Sequence, residues 1–252
     1  MSVYSPAKKK PVKKLGGKVL AIDIGGSHIK GTILDINGKI LEPYKKENTP
    51  KPATPNAVMK CIKKLAALFT SFDKIAVGFP GYVKKGIVYT APNLGKGWAN
   101  VDFAKQLSGI FNKPVRIAND ADMQGLGIAK GKGFEIVVTL GTGFGTAFLL
   151  DGKLLPHLEL AHHPVSGKKD YDAYIGEAAL EKIGEKEWNK RMKKVLLILK
   201  TVFNYDHLYL GGGNTVHLKI PVAKNISLVS NVDGIHGGAK LWDDSNHIKP
   251  VK

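Results

Sequence analysis

Residues 19–35, VLAIDIGGSHIKGTILD, decide how the chain is read. Val19, Leu20, Ala21, Ile22 and Ile24 form an apolar run of strand length, Gly25 and Gly26 reverse it, and Ile29, Thr32, Ile33 and Leu34 predict a second strand returning beside the first. Glycine at the reversal removes the Cβ that would stand between backbone N–H groups and a bound oxyanion. Asp23, just before the turn, can face a metal-bound phosphate, and Lys30 adds a compensating positive charge. Alone, a strand, two glycines and a strand more often describe a plain hairpin. The same design recurs, however: an apolar run over 135–140, the glycine turn Gly141-Thr142-Gly143-Phe144-Gly145, and a return over 146–150 that ends in an Asp151-Gly152 turn. Two such units predict two related lobes that face one phosphate chain.

Between and beyond the two hairpins the pattern is that of an α/β protein. Asn37-Gly38 predicts a tight turn and a third antiparallel strand over 39–44, followed by a proline-containing loop to Pro55. Thr54-Pro55 is an N-cap followed by proline at the first helical position, and Val58, Cys61, Ile62, Leu65, Leu68 and Phe69 continue at helical spacing. A strand over 74–79 runs into Gly78-Phe79-Pro80-Gly81, and Ala91-Pro92-Asn93-Leu94-Gly95 is a second rigid turn. Asn100 is expected to cap a helix over 101–111. A strand over 115–118 delivers Asn119-Asp120-Ala121-Asp122 to its carboxyl end, where open sheets keep their ligands. Helices are expected over 171–182 and 186–203, then a strand over 207–210 ending in Gly211-Gly212-Gly213-Asn214, and a terminal helix over 232–242.

Composition narrows the function classes. A chain of 252 residues with 43% hydrophobic content can bury a large core. Its single cysteine, Cys61, can make neither an internal disulfide nor a thiolate zinc site. Neither a secretory signal nor an apolar run of membrane-spanning length is visible, so a cytoplasmic protein with no membrane partner is expected. The net charge is +17, and removing the six lysines of the first eighteen residues still leaves +11. A basic body attracts polyanions, although the same charge also keeps a surface soluble. Residues 1–17 are lysine- and proline-rich and are expected to form a disordered basic arm, too short for a DNA-binding module.

Taken together, DIGGSHIKG from Asp23, GFPG from Gly78, APNLG from Ala91, NDAD from Asn119, TLGTGFG from Thr139, ELAHH from Glu159 and GGGN from Gly211 occur in one order. In that order the chain resembles the ROK family of sugar kinases, and most of all its polyphosphate-dependent glucokinase branch. The resemblance implies two ribonuclease-H-like lobes of the actin/Hsp70/hexokinase superfamily with a cleft between them. Residues 18–118 would form the smaller lobe and 119–252 the larger, with the terminal helix able to pack back on the first. It implies that Asp120 is the general base, with Asp122 as its competitor, and that Asn119, Glu159 and His162, with Asn93 and Gly81, surround a hexose, most simply glucose. Gly25, Gly26, Ser27 and Lys30 with Gly141, Thr142 and Gly143 would be the two phosphate-binding turns, Gly211, Gly212 and Gly213 the adenosine-side turn, and Asp23 the group nearest a Mg²⁺ ion, directly or through water.

The donor implied is polyphosphate, ATP or both. No zinc is implied, because the family's cysteine-rich loop is absent, and no nucleic-acid partner; a homodimer is the family expectation. Ala161 stands where the family usually has glycine, and a positive φ there would impose strain of about 1 kcal/mol or more. The family's third sugar-reading acid falls on Asp172 or Glu177. The leading function is a hexose 6-kinase, and the alternative is a non-catalytic sugar sensor of the same fold.

Overall fold

The computed structural model describes residues 17–243 and residue 246; the expected basic arm lies almost wholly outside them. Two five-stranded sheets carry the fold. In the first, β1 (Val19–Ile24), β2 (His28–Leu34) and β3 (Ile40–Asn48) run antiparallel, then α1 (Pro55–Ala66) leads to β4 (Lys74–Phe79), parallel to β1. A small sheet of β5 (Val83–Lys84), β6 (Ile87–Val88) and β7 (Val101–Asp102) and helix α2 (Phe103–Phe111) lead to β8 (Val115–Asn119), parallel to β4. The spatial order is β3-β2-β1-β4-β8.

The second sheet follows α3 (Asp120–Ile128). It contains β9 (Phe134–Leu140), β10 (Phe144–Leu150) and β11 (Lys153–Leu154). The ribbon β12 (Pro164–Ser166) and β13 (Lys169–Asp170) precedes helices α4 (Tyr171–Ile175) and α5 (Glu177–Phe203), which lead to β14 (His207–Gly211) and β15 (Ile226–Leu228). The order β11-β10-β9-β14-β15, with β10 antiparallel to β9 and β14 parallel to it, repeats the first sheet strand for strand. The repeated hairpin of the sequence is thus the visible part of a repeated five-stranded unit.

Strand alternation distributes the core. Leu20, Ile22 and Ile24 point from β1 toward α1 and α2, whereas Val19 and Ala21 point to the opposite face, against α3 and the chain's last helix. α1 is held at its start by the Thr54 side chain, which accepts from Ala57 N–H. A third cluster, built around Trp188, Met192, Val195 and Leu199 of α5, covers the outer face of the second sheet. Residues 231–236 form a 3-10 helix that continues into α6 (Gly237–Lys240), so the terminal helix is shorter than expected. α6 crosses α3 and lies on β1 and β4: a Cβ on Gly238 would stand 2.7 Å from that of Ala21.

Several boundaries depart from the sequence reading. β3 continues to Asn48 through Lys45, Lys46 and Glu47, because pairing with β2 carries an edge strand whose exposed face is charged. α1 stops at Ala66, short of Phe69. Asn100 does not cap α2; it takes a left-handed turn (φ 60°), and Asp102 caps by accepting from Lys105 N–H. The helices expected over 171–182 and 186–203 part where expected, at Gly184 (φ 76°, ψ 162°), which is non-helical within α5; an additional break at Gly176 divides the first of them into α4 and the start of α5. Among the described residues no helix is long and apolar enough to cross a membrane.

Candidate active site

The two glycine hairpins open onto one cleft of about 480 Å³ between the sheets. It is lined on the first-sheet side by Gly25, Gly26, Gly81 and Asn93, at its base by Asn119 and Asp120, and on the second-sheet side by Gly141, Thr142, Gly143, Glu159, His162, Gly212 and Gly213. Most of the residues singled out in the sequence therefore meet in one place. Two of the phosphate-turn set, the metal candidate Asp23 and one of the adenosine-side set do not line it. Ser27 sits exposed at the hairpin tip, and Gly211 is buried as the last residue of β14, opposite Thr139. Asp23 and Lys30 are cross-strand partners that line a neighbouring cavity of about 420 Å³ with Tyr44, Lys45 and Lys46. Gln124 of α3 lines both cavities.

The glycines are needed for space. A Cβ at Gly143 would stand 2.7 Å from the Asp172 carboxylate, and Gly212, at φ 96°, would drive one into the Leu140 backbone. Gly26 and Gly141 carry no such crowding, so a side chain there would project into unfilled space at the cleft. That is the behaviour required where a ligand approaches backbone.

Asn119 and Asp120 stand where β8 becomes α3. Asn119 Oδ1 accepts from Ala121 N–H at 2.8 Å and Asp122 N–H at 3.3 Å, and its Nδ2 donates to Gly81 O at 3.2 Å. It is the helix cap first, and it ties α3 to the β4 turn. This fixes Asp120 at the first position of α3 with its Oδ1 at 2.8 Å from Ala121 N. Burial, then the charge of Asp23 and that of Asp122, push the Asp120 carboxyl up to about 7, against the Ala121 N–H and the His157 charge. Asp23 is also raised by burial, partly offset by Lys30.

The wall opposite is a segment that sequence reasoning only half located. Glu159 precedes a 3-10 helix, Leu160–His162, and is held low chiefly by the His157 ring, whose Nε2 stands 3.4 Å from its Oε1. Ala161 is in that helix and is not among the positive-φ residues, so the strain expected of it is absent: the turn is built around alanine. His162 is exposed, its Nδ1 at 3.9 Å from Asp170. Of the two candidates for the third acid, Asp172 lines the cleft, accepting from Phe144 N–H at 2.7 Å, while Glu177 lies outside and pairs loosely with Thr142 Oγ1 at 3.4 Å. His157 was missed altogether. It lines the cleft, largely buried between Asp122 and Glu159, and nothing in a lone histidine after Pro156 signals that position.

Two glycine hairpins over a carboxylate at a helix start, between two β3-β2-β1-β4-β8-type sheets, define the actin/Hsp70/hexokinase class of kinase fold. The chain belongs to the ROK family, whose family model matches residues 19–159. It is 34% identical over 234 residues to the polyphosphate glucokinase of Mycobacterium leprae (strain TN), covering 86% of this chain and 72% of that one. Among solved structures it is similar to the inorganic polyphosphate/ATP-glucomannokinase from Arthrobacter sp. strain KM, with a TM-score of 0.80, 31% identity, and 88% and 97% of the two chains covered. A ROK family glucokinase from Streptomyces griseus, in complex with glucose and AMPPNP, shares the fold at a TM-score of 0.73 and 19% identity, with 89% and 99% of the chains covered.

Proposed function

We propose that the protein transfers a phosphoryl group from polyphosphate or ATP to the 6-hydroxyl of glucose or a closely related hexose. The observation that carries this reading is Asp120: a carboxylate fixed at the head of α3, on the base of a cleft between two glycine hairpins, and tuned to about 7. A base poised near neutrality accepts a hydroxyl proton as the phosphoryl group arrives, while positioning and charge stabilisation do the rest. The names of the M. leprae and Arthrobacter relatives support the same donors and acceptor.

In this reading residues 18–118 and 119–252 are the two lobes. The hexose lies against Glu159, His162 and Asn93, with Asp172 as the third acid, and its 6-hydroxyl donates to Asp120. Asn119 contributes mainly by fixing Asp120, because its cap bonds occupy its oxygen. The N–H groups around Gly26 and around Gly141 to Gly143 take the transferred phosphate. Gly212 and Gly213 face the adenosine side when ATP is the donor. Among the described residues no cluster of three or more His, Cys, Asp or Glu could hold a metal by itself. A lone Asp23 beside the cleft suits Mg²⁺, which binds through one or two carboxylates, donor phosphates and retained waters. When bound, the ion would neutralise charge on the donor.

The test is a coupled assay crossing glucose, mannose and their amino derivatives with ATP and long-chain polyphosphate. Hexose 6-phosphate is expected from glucose with at least one donor. Saturable hexose binding with no product from any pair would instead make the protein a sensor.

A further inference from the structure

We propose that His157 is a positioning residue for the hexose site: its ring, anchored on Asp122, sets where the Glu159 carboxylate lies at the cleft wall. The inference rests on the hexose-kinase reading and assigns a role to a residue outside the family motifs quoted above.

The geometry is a chain of three charged side chains, two of them buried and the third at the cleft. His157 Nδ1 lies 2.9 Å from Asp122 Oδ2 and its Nε2 3.4 Å from Glu159 Oε1, with the histidine and Asp122 side chains 7% and 9% exposed. The ring is further held by Tyr82, nearly parallel at 6.0 Å between centroids. A neutral imidazole carries one N–H, whereas an imidazolium presents one toward each of two flanking carboxylates. Nδ1 makes the hydrogen bond, to Asp122, while the buried Nε2 has no hydrogen-bond partner and faces Glu159 as an ion pair. Burial pulls the ring down, but its contacts with the two carboxylates outweigh it and raise the imidazolium to about 10.

The chain has a fixed base and an open end. Asp122 is anchored because its N–H is capped by Asn119 in α3. The backbone around His157 is tied to β10, through Leu155 N–H donating to Phe148 O at 2.8 Å and Thr146 Oγ1 to Leu158 O at 3.2 Å. Glu159, by contrast, is partly exposed to the cleft, and the ring Nε2 stands 3.4 Å from its carboxylate.

His157→Gln separates this role from ordinary structural support. The expected result is a rise of about 10-fold in KM for hexose, the size of a lost contact with a charged group, with donor KM unchanged. His157→Gln removes the partner of a buried carboxylate, so the double variant Asp122→Asn/His157→Gln is the companion. It takes away one negative and one positive charge together, leaves no buried carboxylate unpaired, and should keep hexose KM raised. Unchanged hexose KM in the folded double variant, or equal rises in hexose and donor KM, would each overturn the proposal. Failure of the parent protein to phosphorylate any hexose would sink the kinase reading instead, before the variants are compared.

Discussion

At the scale of single residues, Asp120 is the proposed base because several environments converge on one carboxyl. Burial and two neighbouring carboxylates oppose its ionisation, and the Ala121 N–H and His157 favour it. The balance near 7 fixes a sign: the ionised form accepts the proton, so kcat/KM should rise as pH increases through about 7 and level off above it. Asp120→Asn, which keeps the shape and removes the base, should lower kcat by about 10²-fold or more while hexose affinity, followed by equilibrium binding, stays near its original value. A variant with near-parental kcat would remove Asp120 from the role. The Asn-Asp pair was legible in the sequence as polar residues at a strand end, and the structure gives its members different surroundings: Asn119 caps α3, and Asp120 faces the cleft. Ala161 was misread for a related reason. A glycine preference implies a backbone angle only if the backbone is the same, and a 3-10 turn places alanine there without one. His157 left no local trace, because its partners are 35 residues back and two residues ahead and meet only through tertiary packing.

At the scale of elements, what was legible followed from apolar periodicity and glycine turns, and what was not followed from contacts between elements. Both hairpins, α1 with its Thr54 cap, and β4, β8 and β14 are local patterns and lie close to where the sequence places them. The charged end of β3, the break at Gly176 and the course of 231–240 depend on partners distant in sequence. The contact of α6 with α3 is the clearest case. A Cβ on Gly237 would fall on the Met123 carbonyl oxygen, with Gly127 N at 2.7 Å, so the two backbones touch with no room for a methyl group. Gly237→Ala should therefore destabilise by about 1–3 kcal/mol, the cost of forcing extra volume into a packed contact. In a chain of this size each kcal/mol lowers Tm by about 2–4 °C, which thermal unfolding would read directly. An unchanged Tm would mean that the terminal segment does not hold α3 in solution. Since α3 carries Asp120 at its start, a partly destabilised variant is also expected to lose kcat before it loses hexose affinity.

At the scale of the whole molecule, the charge of +17 acts together with the position of the second cavity. Lys30 and Lys46 are cross-strand neighbours on β2 and β3, exposed at a cavity that shares Gln124 with the catalytic cleft, whereas Lys45 turns away to the Leu68 carbonyl and the Phe69 ring. A donor whose terminal phosphate sits between the glycine hairpins can thus extend toward this basic rim if it is long, and ATP is too short to need it. Each lysine that engages a phosphate releases condensed counterions, so binding of a long polyanion weakens steeply as salt is added, with a slope that counts the contacts. KM for long-chain polyphosphate should accordingly rise with KCl more steeply than KM for ATP. Lys46→Gln should flatten the polyphosphate slope by about one contact and leave the ATP slope alone. Deleting residues 1–17 should flatten it only in part, because a charge of +11 remains outside the first eighteen residues. Equal slopes for the two donors would assign the positive charge to solubility, and the protein would then be an ATP-dependent hexose kinase with a basic surface.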